Sequence, residues 1–326
     1  MSEQYKDTWN KEQTCQMFWQ ETKEHTARLL RVYGSMPTLT LPECIEGLPL
    51  TEIGDHCFAT TSRLIPEPFT ENASCRALCG DYMEEIILPD SVTAIGRLAF
   101  YNCRNLRSLS VGGALVSVGG DVFMNAGKLH SLCIRSSAGV RTAARQMLAQ
   151  LTHAVEVSFL WEGRTEAKLL FPEYIESYDE IAPAHIFGRN IEGEGFRARQ
   201  SFVDGRLDFA AYDSIFAQAC VDEHEQTLGQ MAEDRLLYPY ELSQSAEKQY
   251  QEYVRAHAKV LVLYAVKDRA LDILQLLTEK ELVPAEQLTE GIVECSRQGW
   301  AEGAAALLKW KQKRTAQKSR YTFDEF

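Results

Sequence analysis

Leu88-Pro89-Asp90-Ser91-Val92-Thr93-Ala94-Ile95-Gly96-Arg97-Leu98-Ala99-Phe100 is echoed by Leu115-Val116-Ser117-Val118-Gly119-Gly120-Asp121-Val122-Phe123, and Gly96 to Gly119 and Phe100 to Phe123 both step by 23. A fixed period in the low twenties marks a solenoid, in which each unit buries its apolar edge only by stacking on its neighbours. On either side, Met83/Ile86/Leu88, Leu106/Leu109/Val111 and Leu129/Leu132/Ile134 share one spacing and are again 23 apart. The alternation predicts one short strand per unit with Leu109 and Val111 pointing inward. Ser108 and Ser110 then point outward, and the matching outward pairs are Glu85 with Ile87 and Ser131 with Cys133. The glycine of each unit sits where a β-carbon would clash, and the phenylalanine fills the core.

Upstream, Phe18–Thr22 and Ala27–Tyr33 flank the polar Lys23-Glu24-His25, which reads as a hairpin closing one end of the stack. Leu39-Thr40-Leu41-Pro42 opens a first unit that reaches Phe58. Phe58 to Phe100 is a step of 42, so a loop is inserted at about 60–80. Insertions in solenoids map to loops on one face, and Pro66, Pro68 and Phe69 make this one a candidate recognition loop.

These units resemble the bacterial leucine-rich repeats often called BspA-like, whose units run roughly Pro-x-x-Val-x-x-Ile-Gly-x-x-Ala-Phe-x-x-Cys-x-x-Leu. Leu88 to Leu106 matches almost throughout, including Cys103, and the resemblance spans about residues 39–134. Gly112-Gly113, Val122 and Ala126 depart from the pattern. The resemblance implies a leucine-rich-repeat β-solenoid. Many members of that family are surface adhesins, but the few repeats and the absence of an export signal argue against carrying adhesion over.

After the repeats, Ala138, Val140, Ala144, Met147, Leu148 and Leu151 fall at helical spacing, and Val155, Val157 and Phe159 alternate as a strand. Residues 161–208 are rich in aromatics, and Phe196–Val203 alternates. From Phe209 the pattern becomes helical. Tyr250, Tyr253, Val254, His257, Val260, Leu261, Tyr264 and Ala265 predict one long amphipathic helix, and Pro284 and Gly299 bracket another. Lys267–Leu277 is echoed 31 residues on by Gln298–Leu308, a rhythm that resembles ankyrin-like helix pairs without their Thr-Pro-Leu-His turn. The expected organisation is α+β: an N-terminal β-hairpin cap (1–38), leucine-rich repeats (39–136), a closing cap and mixed junction (137–208), a helical repeat-like domain (209–314) and a tail (315–326).

A formal net charge of −12 disfavours nucleic acid or an anionic membrane as partner, because phosphates are held mainly by Lys and Arg. The one basic cluster is Lys309, Lys311, Lys313, Arg314, Lys318 and Arg320, read as a solvated last helix. No run reaches membrane-spanning length, and the polar start and nine scattered cysteines lead to the expectation of a cytoplasmic protein with reduced thiols.

Candidate chemistry is sparse. Gly193-Glu194-Gly195 lacks the third glycine of a dinucleotide loop and reads as a turn. His56, Cys57, Cys75 and Cys79 lack the tight pair spacing of zinc sites, and Asp222-Glu223-His224-Glu225 reads as a solvated helical face. The expectation is therefore no catalytic residue, no metal and no cofactor. The function expected is a non-enzymatic intracellular scaffold that binds another protein, with Glu85, Ile87, Ser108, Ser110, Ser131 and Cys133, or the insertion, as its binding surface. The alternatives are an enzyme or small-molecule sensor with its site in 161–208, and a surface adhesin.

Overall fold

The computed structural model describes residues 5–10, 15–60, 75–181 and 186–321. The chain divides into two compact units, Met1–Asp208 and Phe209–Phe326.

In the first unit an antiparallel meander, β1 (Lys6–Asn10), β2 (Cys15–Glu21) and β3 (Ala27–Gly34), leads into the coils. These carry β4 (Thr38–Thr40), β5 (Cys44–Ile45), β6 (Leu48–Ile53), β7 (Arg76–Ala77), β8 (Glu85–Ile87), β9 (Ala94–Ile95), β10 (Ser108–Gly112), β11 (Ser117–Val118), β12 (Ser131–Arg135), β13 (Val155–Trp161) and β14 (Arg164–Phe171). One sheet runs β1-β2-β3-β6-β9-β11 and the other β14-β13-β12-β10-β8-β4. In the second sheet β4, β8, β10, β12 and β13 are all parallel, one strand for each of about five solenoid turns. The coil thus continues beyond Ile134 into β13, and β14 then folds back antiparallel.

Between the sheets the period is physical. Phe58 stacks on Phe100 at 5.1 Å between centroids, with planes 2° apart, and Phe100 on Phe123 at 5.8 Å and 12°. The inserted segment therefore leaves the ring stack continuous. Backbone bonds run the same way, Phe58 N to Ala99 O (2.8 Å) and Phe100 N to Val122 O (3.0 Å). Gly96 N donates to Ile53 O, and Gly119 N to Ile95 O. A β-carbon on Gly119 would lie 2.6 Å from Arg97 N, and one on Gly96 2.5 Å from Asp55 N. Glycine is required there because the neighbouring coil's backbone comes too close for any side chain.

The last coil would leave the β11 edge open. Instead Gln146, on the short helix α1 (Ala144–Leu148), accepts from Val118 N and donates to Val116 O. Gln150 accepts from Val122 N and donates to Gly119 O in the same way. Two side-chain amides stand in for a further strand and blunt an edge that would otherwise recruit another chain.

Residues 161–208 hold a separate two-stranded antiparallel sheet, β15 (Ile175–Ile181) with β16 (Ile186–Glu192). The alternation of Phe196–Val203 is not one strand. It divides into the helical turn α2 (Gly195–Ala198) and the start of a small hairpin, β17 (Phe202–Val203) with β18 (Arg206–Leu207). Arg199 decides this: its buried guanidinium donates to the carbonyls of Leu151 (2.8 Å), Pro172 (2.6 Å), Gly195 (2.8 Å) and His153 (2.7 Å). An extended chain would not gather those acceptors around one side chain.

The second unit is helical: α3 (Phe209–Asp222), α4 (Glu225–Leu237), α5 (Gln244–Ala256), α6 (Ala258–Lys267), α7 (Leu271–Glu279), α8 (Ala285–Arg297) and α9 (Ala301–Tyr321). The single long helix expected through Tyr250–Ala265 is two, broken at His257, whose ring Nδ1 bonds the Tyr253 carbonyl (2.9 Å) and stacks on its ring. Around α3–α5, Arg235 Nε and a terminal nitrogen grip both oxygens of Asp213 (2.8 and 3.0 Å), and Tyr250 Oη donates to Asp213 (2.8 Å).

Helices α6, α7 and α8 end alike. Arg269, Glu281 and Gly299 take positive φ (54°, 53° and 67°), and the next residues bond five back, Ala270 to Ala265, Leu282 to Leu277 and Trp300 to Cys295. Each is a Schellman turn with an apolar pair across it. The hairpins α6–α7 and α8–α9 stack, α6 on α8 and α7 on α9. The turns align Arg269 with Gly299, so the structural step is 30 residues, one fewer than the sequence echo.

Candidate functional site

The outward face of the second sheet collects the predicted strand positions. Ser108 pairs with Glu85 on one side and Ser131 on the other, and Ser110 lies between Ile87 and Cys133. Their neighbours Ile86, Leu109, Val111, Leu132 and Ile134 are buried. Glu85 and Ile87 are exposed, and Ser108, Ser110, Ser131 and Cys133 are half-buried. The rows extend further than expected. Thr38 and Thr40 of β4 add a position at one end, and Glu156 and Ser158 of β13 add one at the other. Glu156 is closed by an ion pair to Lys168 of β14 (2.7 Å).

Sequence reasoning missed Arg135. Its Nε donates to Asp90 (2.8 Å), and its terminal nitrogens reach Ser110 Oγ and the Leu88 carbonyl. It spans three coils at one end of the rows and occupies the Ser110 hydroxyl. The signal was faint, because the position 23 residues earlier, Gly112, has no side chain to compare. Pro66, Pro68 and Phe69 lie outside the described residues.

A second surface feature was also missed. A groove of about 460 Å³ runs over the glycine row of the first sheet, walled by Gln20, Arg28, Glu52, Asp55 and Arg97. Its charges are largely internal: Arg28 Nε holds Glu52 (2.6 Å), and Asp55 accepts from Arg97 N (2.7 Å).

The remaining candidates disperse. Among the described residues no three His, Cys, Asp or Glu side chains are grouped to hold a metal ion. Burial pushes the Cys103 thiol up to about 12 and the Cys15 thiol, with Cys75 beside it, to about 11, so both stay protonated and inert. Cys57, fully buried, is raised further. Gly193 is a turn at φ 89°. Asp222–Glu225 sits not on a helical face but at a break: α3 ends at Asp222 and His224 is the N-cap of α4. Within 161–208 the most deeply held ionic group is Arg199, lowered by burial to about 10 and spent on carbonyls.

A stack of parallel coils with a leucine and a phenylalanine per unit defines a leucine-rich-repeat solenoid. Residues 71–162 match the family model described as BspA type leucine rich repeat region, in six copies. Over those residues the protein carries a BspA-type leucine-rich repeat region. Similar solved structures include a leucine-rich repeat protein from Bacteroides capillosus, with 21% identity and TM-score 0.31, covering 45% of this chain and 94% of that one. Another is a leucine rich cell surface protein from Faecalibacterium prausnitzii, with 16% identity and TM-score 0.30, covering 51% and 45%. The T. pallidum leucine-rich repeat protein shows 18% identity and TM-score 0.23, covering 48% and 84%. No curated protein matches the chain.

Proposed function

We propose that this protein is a non-enzymatic, cytoplasmic scaffold that binds another protein across the outward face of its second sheet. The observation that carries the reading is the in-register row Thr40, Ile87, Ser110, Cys133 and Ser158. Four small side chains let a partner's surface come close, and exposed Ile87 supplies an apolar anchor. The helical unit, with its stacked pairs, offers a second recognition surface.

The test is capture of partners by the full chain from its native lysate, followed by binding measurements on two variants. Ile87→Asp and Ser131→Arg each place a charge on the face without entering the core. A loss of affinity of about 2 kcal/mol or more, as at an interface hot spot, supports the reading. Unchanged affinity in both variants, with the fold intact, removes this face from consideration.

A further inference from the structure

The repeat dictates the glycines of the first sheet but not the side chains beside them. Gln20, Arg28, Glu52, Ala94 and Ser117 stand in register across β2, β3, β6, β9 and β11, on the face away from the buried Ile53 and Ile95. Two residues further along their strands come Gly54, Gly96 and Gly119, and just past the first two of these come Asp55 and Arg97. The glycine column is therefore sunk between two polar rows, which is the groove of about 460 Å³. That volume falls within the range of small-molecule sites. At one end a β-carbon on Gly54 would lie 3.2 Å from the Leu30 side chain, and at the other Gln150 Nε2 holds the Gly119 carbonyl (2.9 Å). Later coils put Ala94 and Ser117 where the first has Glu52, and Arg97 and Gly120 where it has Asp55. A packing requirement would recur in every coil; this rim does not.

The chemistry of the rim narrows what it can hold. Arg28 and Arg97 balance Glu52 and Asp55, so an anion would meet two carboxylates and a cation two guanidinium groups. Much of the rim's hydrogen-bonding capacity is nevertheless unused. Arg28 Nε holds one oxygen of Glu52 (2.6 Å), and one oxygen of Asp55 accepts from the Arg97 backbone N–H (2.7 Å). Among the described residues the Gln20 amide, the Ser117 hydroxyl and the Arg97 guanidinium have no partner in the protein. A wholly apolar ligand would strip water from these groups and give nothing back. The floor differs, since glycine Cα groups and the Ala94 methyl present only carbon and hydrogen.

We propose that this groove binds a neutral saccharide. The C–H face of a sugar ring lies on the glycine floor, and adjacent hydroxyls meet the planar ends of Glu52, Asp55 and Arg97, which take hydrogen bonds two at a time. Gln20 and Ser117 each add an amide or hydroxyl partner of either sense. The site lies on the first sheet and leaves the outward face of the second free for a protein.

Screening the full chain against immobilised neutral, sialylated and sulfated glycans, followed by titration with the best-bound glycan as a free oligosaccharide, tests this. The expected result is a neutral glycan with a Kd on the order of 0.1–1 mM. That Kd should hold within about twofold between about 50 and 500 mM salt, because no net charge is neutralised. Ala94→Phe fills the flank of the groove and Arg97→Ala removes an exposed guanidinium; each should weaken binding about tenfold or more at an unchanged melting temperature. If Ala94→Phe fails to fold, Arg97→Ala decides. Ile87→Asp, on the second sheet, should leave saccharide binding as it is, which separates this site from the protein-binding face. Retention of charged glycans alone, of no glycan at all, or a Kd indifferent to the groove variants overturns the proposal.

Discussion

Phe100→Ala removes the middle ring of a three-ring stack, and the geometry sets its cost. Phe100 is completely buried, with Phe58 at 5.1 Å and Phe123 at 5.8 Å. Burying roughly 150 Å² of aromatic surface at about 25 cal/mol per Å² contributes about 4 kcal/mol, of which alanine keeps about 0.8 for its methyl. Two lost ring contacts at about 0.5 kcal/mol each bring the total near 4, inside the range of about 3–5 for buried aromatic truncations. Chemical denaturation of the first unit reads this directly. Because Phe58 N bonds Ala99 O and Phe100 N bonds Val122 O, the loss should spread to both neighbours. Native-state hydrogen exchange should accelerate at Phe58 and around Phe123 as well as at Phe100. Faster exchange confined to residues 88–106 would refute a continuous core and leave a set of independently stable coils.

Gly119→Ala should cost about 1–3 kcal/mol although it adds only one methyl, because that methyl meets the Arg97 backbone at 2.6 Å; a melting curve matching wild type would contradict the close-approach account. In the helical unit Asp213→Ala strands the fully buried Arg235 and should cost about 3–5 kcal/mol, whereas Asp213→Asn with Arg235→Met should recover part of it; denaturation of the single and double variants decides. Burial, reinforced by Asp234, Asp272 and Asp268, pushes the Glu233 carboxyl up to about 8 from 4.5. The folded chain therefore holds a proton that the unfolded chain releases, so stability from this group is greatest below pH 4.5, falls as pH rises from 4.5 to 8, and is level above. Thermal melts of Glu233→Gln should lose that part of the slope, and a profile unchanged by the substitution would place the acid elsewhere.

Repetition alone makes the solenoid, its step and its inward and outward faces readable before any coordinate is known. Leu109, Val111, Gly119 and Phe123 are local requirements: alternation decides which side chains meet the core, and a fixed step decides which stack. A repeat can be read without coordinates because every unit answers the same packing problem. The outward rows Glu85/Ser108/Ser131 and Ile87/Ser110/Cys133 were legible for the same reason.

Where the repeat gives way to single events, contacts between distant segments set the arrangement. Arg135 spans three coils, and Arg199 collects carbonyls from segments up to 51 residues away in sequence. Such contacts leave no periodic trace. The solenoid takes non-glycine residues into the left-handed region at one recurring position, His56, Leu98 and Asp121, and at a second, Asn102 and Asn125. No residue type advertises the first, because the neighbouring coils impose the conformation. In the helical unit the register slips from 31 to 30 for a related reason: side-chain likeness favoured one alignment, but the left-handed turn at Arg269 and Gly299 sets how the hairpins stack. Glycine takes that conformation freely, whereas Arg269 is held there by the bonds that close its Schellman turn.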